Sequence, residues 1–141
     1  MNTKRIILAT LAIWLFVSAW TMLTCGWLFN WVYSIPPVIW KTPQQMMGMG
    51  NTALSLLTML IGALVFVLVF SILYKGIPGN GIKKGMHYGF LVWLIGPMAG
   101  IVGMPFYMTI ANTVVIYWIL NFLVSHIIMG ALVGLIYRPK K

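Results

Sequence analysis

The chain has 141 residues, of which 62% are hydrophobic, and it carries nine lysines and arginines but no aspartate or glutamate. A soluble domain keeps both signs of charge on its surface, so this composition indicates an integral membrane protein. Without carboxylate side chains, the chain alone cannot form a Ser-His-Asp triad, an acid–base carboxylate pair, a carboxylate site for Ca²⁺ or Mg²⁺, or a carboxylate proton relay. We therefore predict that it is not an enzyme.

Four transmembrane helices are predicted, because about 20 apolar residues are needed to cross a hydrocarbon core of about 30 Å. Two uncharged runs hold one span each. A third run is long enough for two spans, with a hairpin expected at residues 104–107, where Pro105 and aromatic residues interrupt it. The predicted helices cover residues 6–28, 51–74, 82–104 and 109–137 of a single domain. The predicted fold class is an all-α integral membrane four-helix bundle.

The positive charges fall almost entirely on one side of this bundle. They cluster before the first helix, between the second and third helices, and after the fourth helix: Lys4, Arg5, Lys75, Lys83, Lys84, Arg138, Lys140 and Lys141. Only Lys41 lies on the other side. The positive-inside rule then predicts a multi-pass protein of the inner, cytoplasmic membrane with both termini inside. We expect the basic clusters to contact anionic lipid headgroups, and nothing in the sequence indicates binding to nucleic acid.

The predicted outer segment, residues 29–50, combines prolines with large aromatic residues. Pro36, Pro37 and Pro43 disfavour a regular helix, whereas the tryptophans and the tyrosine prefer the headgroup boundary. We expect this segment to lie along the outer surface as an ordered cover.

Glycines form one face of the third predicted helix, within an arc of roughly 60° at about 100° per residue. The fourth helix offers two more glycines, so the predicted packing residues are Gly85, Gly89, Gly96, Gly100, Gly103, Gly130 and Gly134. Small residues at this spacing let two helix backbones approach closely, which lipid does not require. We predict that the third and fourth helices form an antiparallel hairpin, with a bend at Pro97.

Polar residues lie on more than one face of the fourth helix. His126 and Asn112 share one side, whereas Asn121 and Ser125 project from nearly the opposite side. Because an unpaired polar group in hydrocarbon is costly, we expect protein around this helix and a hydrogen-bonded His126 that packs between helices. The alternative is that His126 is a ligand or a proton carrier at a shared interface. A bis-histidine haem is disfavoured, because His87 lies much nearer the cytoplasmic end.

Two further polar stripes lie in the outer halves of the first two helices. The first stripe is Ser18, Thr21 and Cys25, and the second is Asn51, Ser55, Thr58 and Gly62. Hydrogen bonding between helices is the simpler interpretation. A small polar cavity open to the outer side is the alternative.

Methionines near the outer face offer one possible soft-metal site. Met46, Met47 and Met49 precede the second helix, and Cys25 ends the first helix near the same face. Thioether and thiolate ligands suit Cu(I), but methionine also fills irregular gaps in ordinary packing. We therefore predict no metal and no cofactor, and these four residues are the candidate ligands of the alternative.

The C-terminal stretch Ser125-His126-Ile127-Ile128-Met129-Gly130-Ala131-Leu132-Val133-Gly134-Leu135-Ile136-Tyr137 resembles a pattern of small uncharacterised prokaryotic four-span membrane proteins. In that pattern a histidine precedes two spaced glycines and a tyrosine. The resemblance covers roughly the last tenth of the chain. It implies a four-span architecture in a prokaryotic membrane and brings no known activity.

These features together predict a small non-catalytic integral membrane subunit. It would pack against larger membrane proteins, as in an energy-converting or membrane oxidoreductase complex, because it lacks groups for independent chemistry and presents small-residue faces. Two alternatives are open. One is a homo-oligomeric channel or transporter without carboxylate proton coupling, and the other is a protein that handles copper at its outer face.

Overall fold

A computed structural model describes residues 2–139, apart from the side chain of Pro43. Within that range four helices are long and apolar enough to cross a membrane, and there is no β-strand. In chain order, with a short helix between the first two spans, the helices are α1 (Thr3–Leu28), α2 (Pro43–Met47), α3 (Met49–Leu73), α4 (Gly81–Tyr107) and α5 (Asn112–Ile136). The predicted all-α four-helix bundle is confirmed, and each span begins and ends within a few residues of its predicted limits.

The outer segment between α1 and α3 contains two short helical pieces. A 3₁₀ turn covers Asn30–Ser34, and α2 begins at Pro43. The side chains of Thr42 and Gln45 cap the start of α2 reciprocally. Proline disrupts a helix interior but suits the first turn, where its missing N–H has no helical partner to lose. This explains why the segment includes a helix despite its prolines.

Two irregular positions divide α4. A π-helical turn covers Leu94–Met98 around Pro97, whose ring nitrogen has no hydrogen to donate. A second break falls at Gly103, after which Met104–Tyr107 forms one further turn. The prediction of a hairpin at residues 104–107 is wrong by about one helical turn, because Pro105 begins that turn instead of ending the span. The chain reverses at residues 108–111.

The predicted antiparallel hairpin is formed by α4 and α5, whose backbones touch at glycines. A Cβ added to Gly85 would overlap the carbonyl oxygen of Gly130, and a Cβ added to Gly130 would overlap that of Gly85. Farther along α4, the Trp93 indole N–H donates to the carbonyl oxygen of Ile119 at 3.0 Å. Residue numbers rise along α4 as they fall along α5, so the two helices run antiparallel.

The main hydrophobic core lies in the half of the bundle that carries both chain ends. Its buried members come from all four spans and include Ile6, Ala9, Ile13, Ala63, Phe66, Val67, Phe70, Tyr88, Met129, Val133 and Tyr137. The Arg5 guanidinium donates to the carbonyl oxygen of Ile136 at 3.4 Å, and the Lys84 ammonium donates to that of Tyr74 at 2.7 Å. A cation beside the last carbonyls of α3 is favourable. We call this the basic half of the bundle, and the other the opposite half.

Candidate functional site

A cavity of about 680 Å³ extends from the middle of the bundle into its opposite half. Its walls are mostly aliphatic and aromatic, and they come from all four spans and the outer segment. The lining residues with polar side-chain atoms are Trp20, Thr21, Cys25, Tyr33, Tyr88, Trp118, Asn121, Ser125 and His126. Val65 and Ile95 also line the cavity, although they are 52% and 76% exposed. The cavity therefore opens sideways between α3 and α4.

The cavity exists because α3 separates from the α4–α5 hairpin beyond the middle of the bundle. The Tyr88 hydroxyl donates to the carbonyl oxygen of Phe66 at 2.7 Å, and the ring centroids of Tyr88 lie 4.7 Å from Phe66 and 5.1 Å from Phe70. These contacts form the floor of the cavity. Among the described residues, no side-chain hydrogen bond or ring contact joins residues 49–65 of α3 to the hairpin.

His126 lies close to this floor. Its Nδ1 is 2.8 Å from the carbonyl oxygen of Phe122, and because a carbonyl can only accept, Nδ1 carries the hydrogen. In the neutral imidazole, Nε2 is then an acceptor, and it has no hydrogen-bond partner in the described part of the chain. The ring packs edgewise against Phe66 of α3 at 6.2 Å. Thus the imidazole packs between helices, but its hydrogen bond stays within α5.

Asn121 ties α5 to α1 on the opposite wall. The indole N–H of Trp20 donates to Asn121 Oδ1 at 2.6 Å. Asn121 Nδ2 donates to the hydroxyl oxygens of Tyr117 at 2.9 Å and Thr24 at 3.3 Å. One amide therefore uses both ends in bonds to three side chains. Asn121 was predicted as an interface residue, but Trp20, Thr24 and Tyr117 were not. The spacing of Tyr117 and Asn121 by one helical turn signals their contact, whereas no local pattern signals the contacts with Trp20 and Thr24 on α1.

The outer segment covers this end of the cavity through Tyr33. Its hydroxyl donates to Cys25 Sγ at 3.1 Å, and burial, followed by this hydrogen bond, raises the pKa of the Tyr33 hydroxyl above its ordinary value. The ring packs against Trp40 at 4.8 Å, and Trp40 in turn packs edge-on against Trp118 of α5 at 5.5 Å. The segment is thus an ordered cover held by aromatic contacts.

Of the other predicted polar residues of α5, Ser125 lies at the cavity and Asn112 does not. Ser125 is buried and lines the cavity beside His126 and Asn121, so three residues that the helical wheel assigned to different faces share one cavity. A broad cavity bordered by several helices reaches more than one face of α5. Asn112 is exposed at the first turn of α5, far from His126 along the helix axis.

The two predicted polar stripes meet only in part. Ser18, Thr21, Asn51 and Ser55 line a second, shallower groove between α1 and α3. Cys25 and Gly62 instead line the cavity of about 680 Å³, which we call the central cavity. The Thr58 hydroxyl donates to the carbonyl oxygen of Leu54 in its own helix at 2.8 Å. Asn51 accepts from the Lys41 ammonium at 3.2 Å and donates to the Met46 carbonyl at 3.0 Å.

The candidate soft-metal ligands are not gathered at one place. Met47 and Met49 are 80% and 89% exposed, Met46 lines the shallow groove, and Cys25 lines the central cavity. Within residues 2–139, no group of three or more His, Cys, Asp or Glu side chains is placed to hold a metal ion. His87 lies in the basic half, with Nδ1 3.3 Å from the carbonyl oxygen of Pro78.

The predicted glycine face of α4 divides into two parts. Gly85 and Gly89 are buried against α5, whereas a Cβ added to Gly96 or Gly100 would meet no atom of residues 2–139 within 4 Å beyond the adjacent backbone. Gly103 is half-buried at the second break in α4 and meets only the carbonyl oxygen of Gly100. The opposite half of α4 therefore presents bare backbone outward.

Comparison with known proteins gave no match: no family model fits the sequence, and no curated protein or solved structure is significantly similar to it.

Proposed function

We propose that the chain is a small non-catalytic subunit that packs against larger integral membrane proteins through the opposite half of α4. The open backbone at Gly96 and Gly100 carries this proposal. Lipid chains gain nothing from a glycine groove, whereas a helix that fits closely gains many dispersion contacts. A π-helical turn at Leu94–Met98 separates this groove from Gly85 and Gly89, which are already occupied by α5.

The partner that fits this face is a transmembrane helix of a different protein. A second copy of this chain is disfavoured by charge, because each copy has a formal net charge of +9 and no acidic side chain to pair with it. Like charges at the same end of two adjacent bundles repel each other. A partner with carboxylates at that end would complement the basic half.

We assign the basic half to the cytoplasmic side of an inner membrane, since the described lysines and arginines concentrate there, with only Lys41 among them at the other end. Labelling of single cysteines tests this orientation in a Cys25→Ser background. Lys41→Cys should react with an impermeant thiol reagent added outside intact cells, and Lys75→Cys should react only after the cells are opened. The reverse pattern would contradict the orientation.

Purification of the tagged chain with its partners in mild detergent tests the docking face. Gly96→Leu and Gly100→Leu should remove most of the co-purifying chains, because a larger side chain pushes the facing helix away. Gly26→Leu is the matched control, since Gly26 is also exposed with no atom within 4 Å of an added Cβ. Full retention of partners by both α4 variants would refute the proposal. Recovery of further copies of this chain alone would favour the homo-oligomeric alternative.

A further inference from the structure

The central cavity is large enough to hold a guest molecule. Protein interiors contain few voids larger than a water molecule, whereas ligand pockets measure roughly 300–1,000 Å³. The cavity of about 680 Å³ falls within that range. Its sideways mouth, marked by the exposed Val65 and Ile95, lies in the spanning part of α3 and α4. A guest would therefore enter from the hydrocarbon and must be soluble in lipid.

The guest must also be uncharged. Among the described residues, no lysine or arginine lines the cavity, and the sequence has no aspartate or glutamate. A fatty-acid anion would lack a cationic partner there, and an amine cation would lack an anionic one. Since an unpaired charge in an apolar site is very costly, both classes are excluded.

Most polar groups of the wall are already occupied. Both ends of the Asn121 amide are hydrogen-bonded, the Ser125 hydroxyl donates to the Phe122 carbonyl at 3.1 Å, and the Tyr33 hydroxyl donates to Cys25. The Trp118 indole N–H interacts with the Tyr33 hydroxyl. Two further groups of the lining have no partner among the described residues, namely the Thr21 hydroxyl and Nε2 of His126. The Thr21 hydroxyl can donate or accept, so it selects no ligand chemistry.

Nε2 of His126 does select a chemistry. Because Nδ1 donates to Phe122, Nε2 can only accept in the neutral ring. Ethers, esters and ketones also only accept, so their oxygens would leave Nε2 unpaired. We infer that the central cavity binds a neutral, lipid-soluble alcohol or phenol with a long apolar chain, whose hydroxyl donates to Nε2 of His126. The cavity and the glycine groove are separate surfaces, so this inference does not depend on the proposed docking.

A matched pair of probes tests the hydrogen bond directly in the whole chain, purified into phosphatidylcholine nanodiscs. The probes are para-dodecylphenol and its methyl ether, which differ in the donor. The readout is the nitrogen resonance of Nε2 in protein labelled at histidine, with His87 assigned by His87→Asn. The phenol should shift the His126 resonance saturably, and the ether should bind about tenfold more weakly without that shift. Equal affinity for both probes, or phenol binding that leaves the resonance unmoved, would overturn the inference.

Two variants separate the hydrogen bond from the cavity itself, measured as probe retained above the level of empty nanodiscs. His126→Leu should bind phenol and ether with equal affinity, because the acceptor is gone. Gly62→Leu should reduce retention of both probes by at least tenfold, because Gly62 lines the cavity and its added side chain meets open space. Gly26→Leu should behave like the unmodified chain. Continued preference for the phenol in His126→Leu, or unchanged retention in Gly62→Leu, would place the guest elsewhere.

Discussion

The two halves of α4 use similar glycine spacing and make different contacts. In the basic half, Gly85 and Gly89 touch the backbone of α5, whereas Gly96 and Gly100 in the opposite half have no atom within 4 Å of an added Cβ beyond the adjacent backbone. The spacing thus specifies that a helix can approach closely, but it does not specify which helix. The partner is decided by which way each glycine faces: Gly85 and Gly89 face α5, whereas Gly96 and Gly100, beyond the π-helical turn, face no helix among the described residues.

The same contrast holds for the bundle as a whole. The basic half is held by backbone approach and by a continuous core around Phe70 and Val133, both fully buried. The opposite half is held by individual ties, such as the Trp20–Asn121 hydrogen bond and the Tyr33–Trp40 contact, around a cavity. Backbone contact cannot adjust to an added atom, whereas a cavity wall can. The effect of a substitution on the free energy of unfolding should therefore differ between the two halves, both in size and in sign.

The largest effect is expected for Gly85→Ala. Its Cβ would overlap the carbonyl oxygen of Gly130, so α4 and α5 must separate along their closest contact. We expect a loss of about 1–3 kcal/mol or more in the free energy of unfolding, the usual cost of overpacking. Reversible unfolding of the isolated chain in mixed detergent micelles measures this. Unchanged stability would mean that the hairpin is looser than the structure shows.

A smaller loss is expected for Asn121→Leu, which tests the ties of the opposite half. The substitution removes the amide oxygen that accepts from the Trp20 indole N–H. It also removes the amide nitrogen that donates to the Thr24 and Tyr117 hydroxyl oxygens. We expect a loss of about 1–2 kcal/mol in the same unfolding assay, in the lower part of the usual range, because the cavity lets these groups find new partners. Thr58→Val is the control, because the Thr58 hydroxyl bonds only within α3 and should matter little. Equal effects of the two changes would contradict a structural role for Asn121.

Local sequence signals predicted the spans and the hairpin, and non-local geometry decided the rest. Span length and the glycines at residues 85, 89, 130 and 134 depend on residues close together in one helix, so they could be recognised directly. The cavity could not be predicted, because it results from the path of α3 relative to α4 and α5. For the same reason, the sequence did not show that Cys25 meets Tyr33 rather than methionines. The end of α4 was predicted about one turn too early, because proline disrupts the interior of a helix but is well tolerated in its first turn.

Gly100→Ala should not destabilise the isolated chain, in contrast to Gly85→Ala and Asn121→Leu. The new methyl group meets open space, and alanine favours a helix over glycine by about 1 kcal/mol, so stability should stay equal or rise slightly. The same unfolding assay, run beside Gly85→Ala, gives the comparison directly. A loss similar to that of Gly85→Ala would mean that Gly100 itself packs against another part of the chain.

The smallest effect is expected for Tyr33→Phe, and it should depend on pH. The ring keeps its packing against Trp40, and only the hydroxyl that donates to Cys25 is lost, so near neutral pH the variant should be less stable by about 1 kcal/mol or less.

Burial raises the pKa of the Tyr33 hydroxyl in the folded chain above the ordinary value of 10.0. A raised pKa in the folded state means that the stabilisation is fully present below the unfolded-state pKa. It is lost as pH rises, because the unfolded chain releases the proton first. Unfolding measured from neutral pH to beyond about pH 10 should therefore show the advantage of the unmodified chain over Tyr33→Phe shrinking. A constant difference across that range would mean that the hydroxyl is open to solvent and that the outer segment does not cover the cavity.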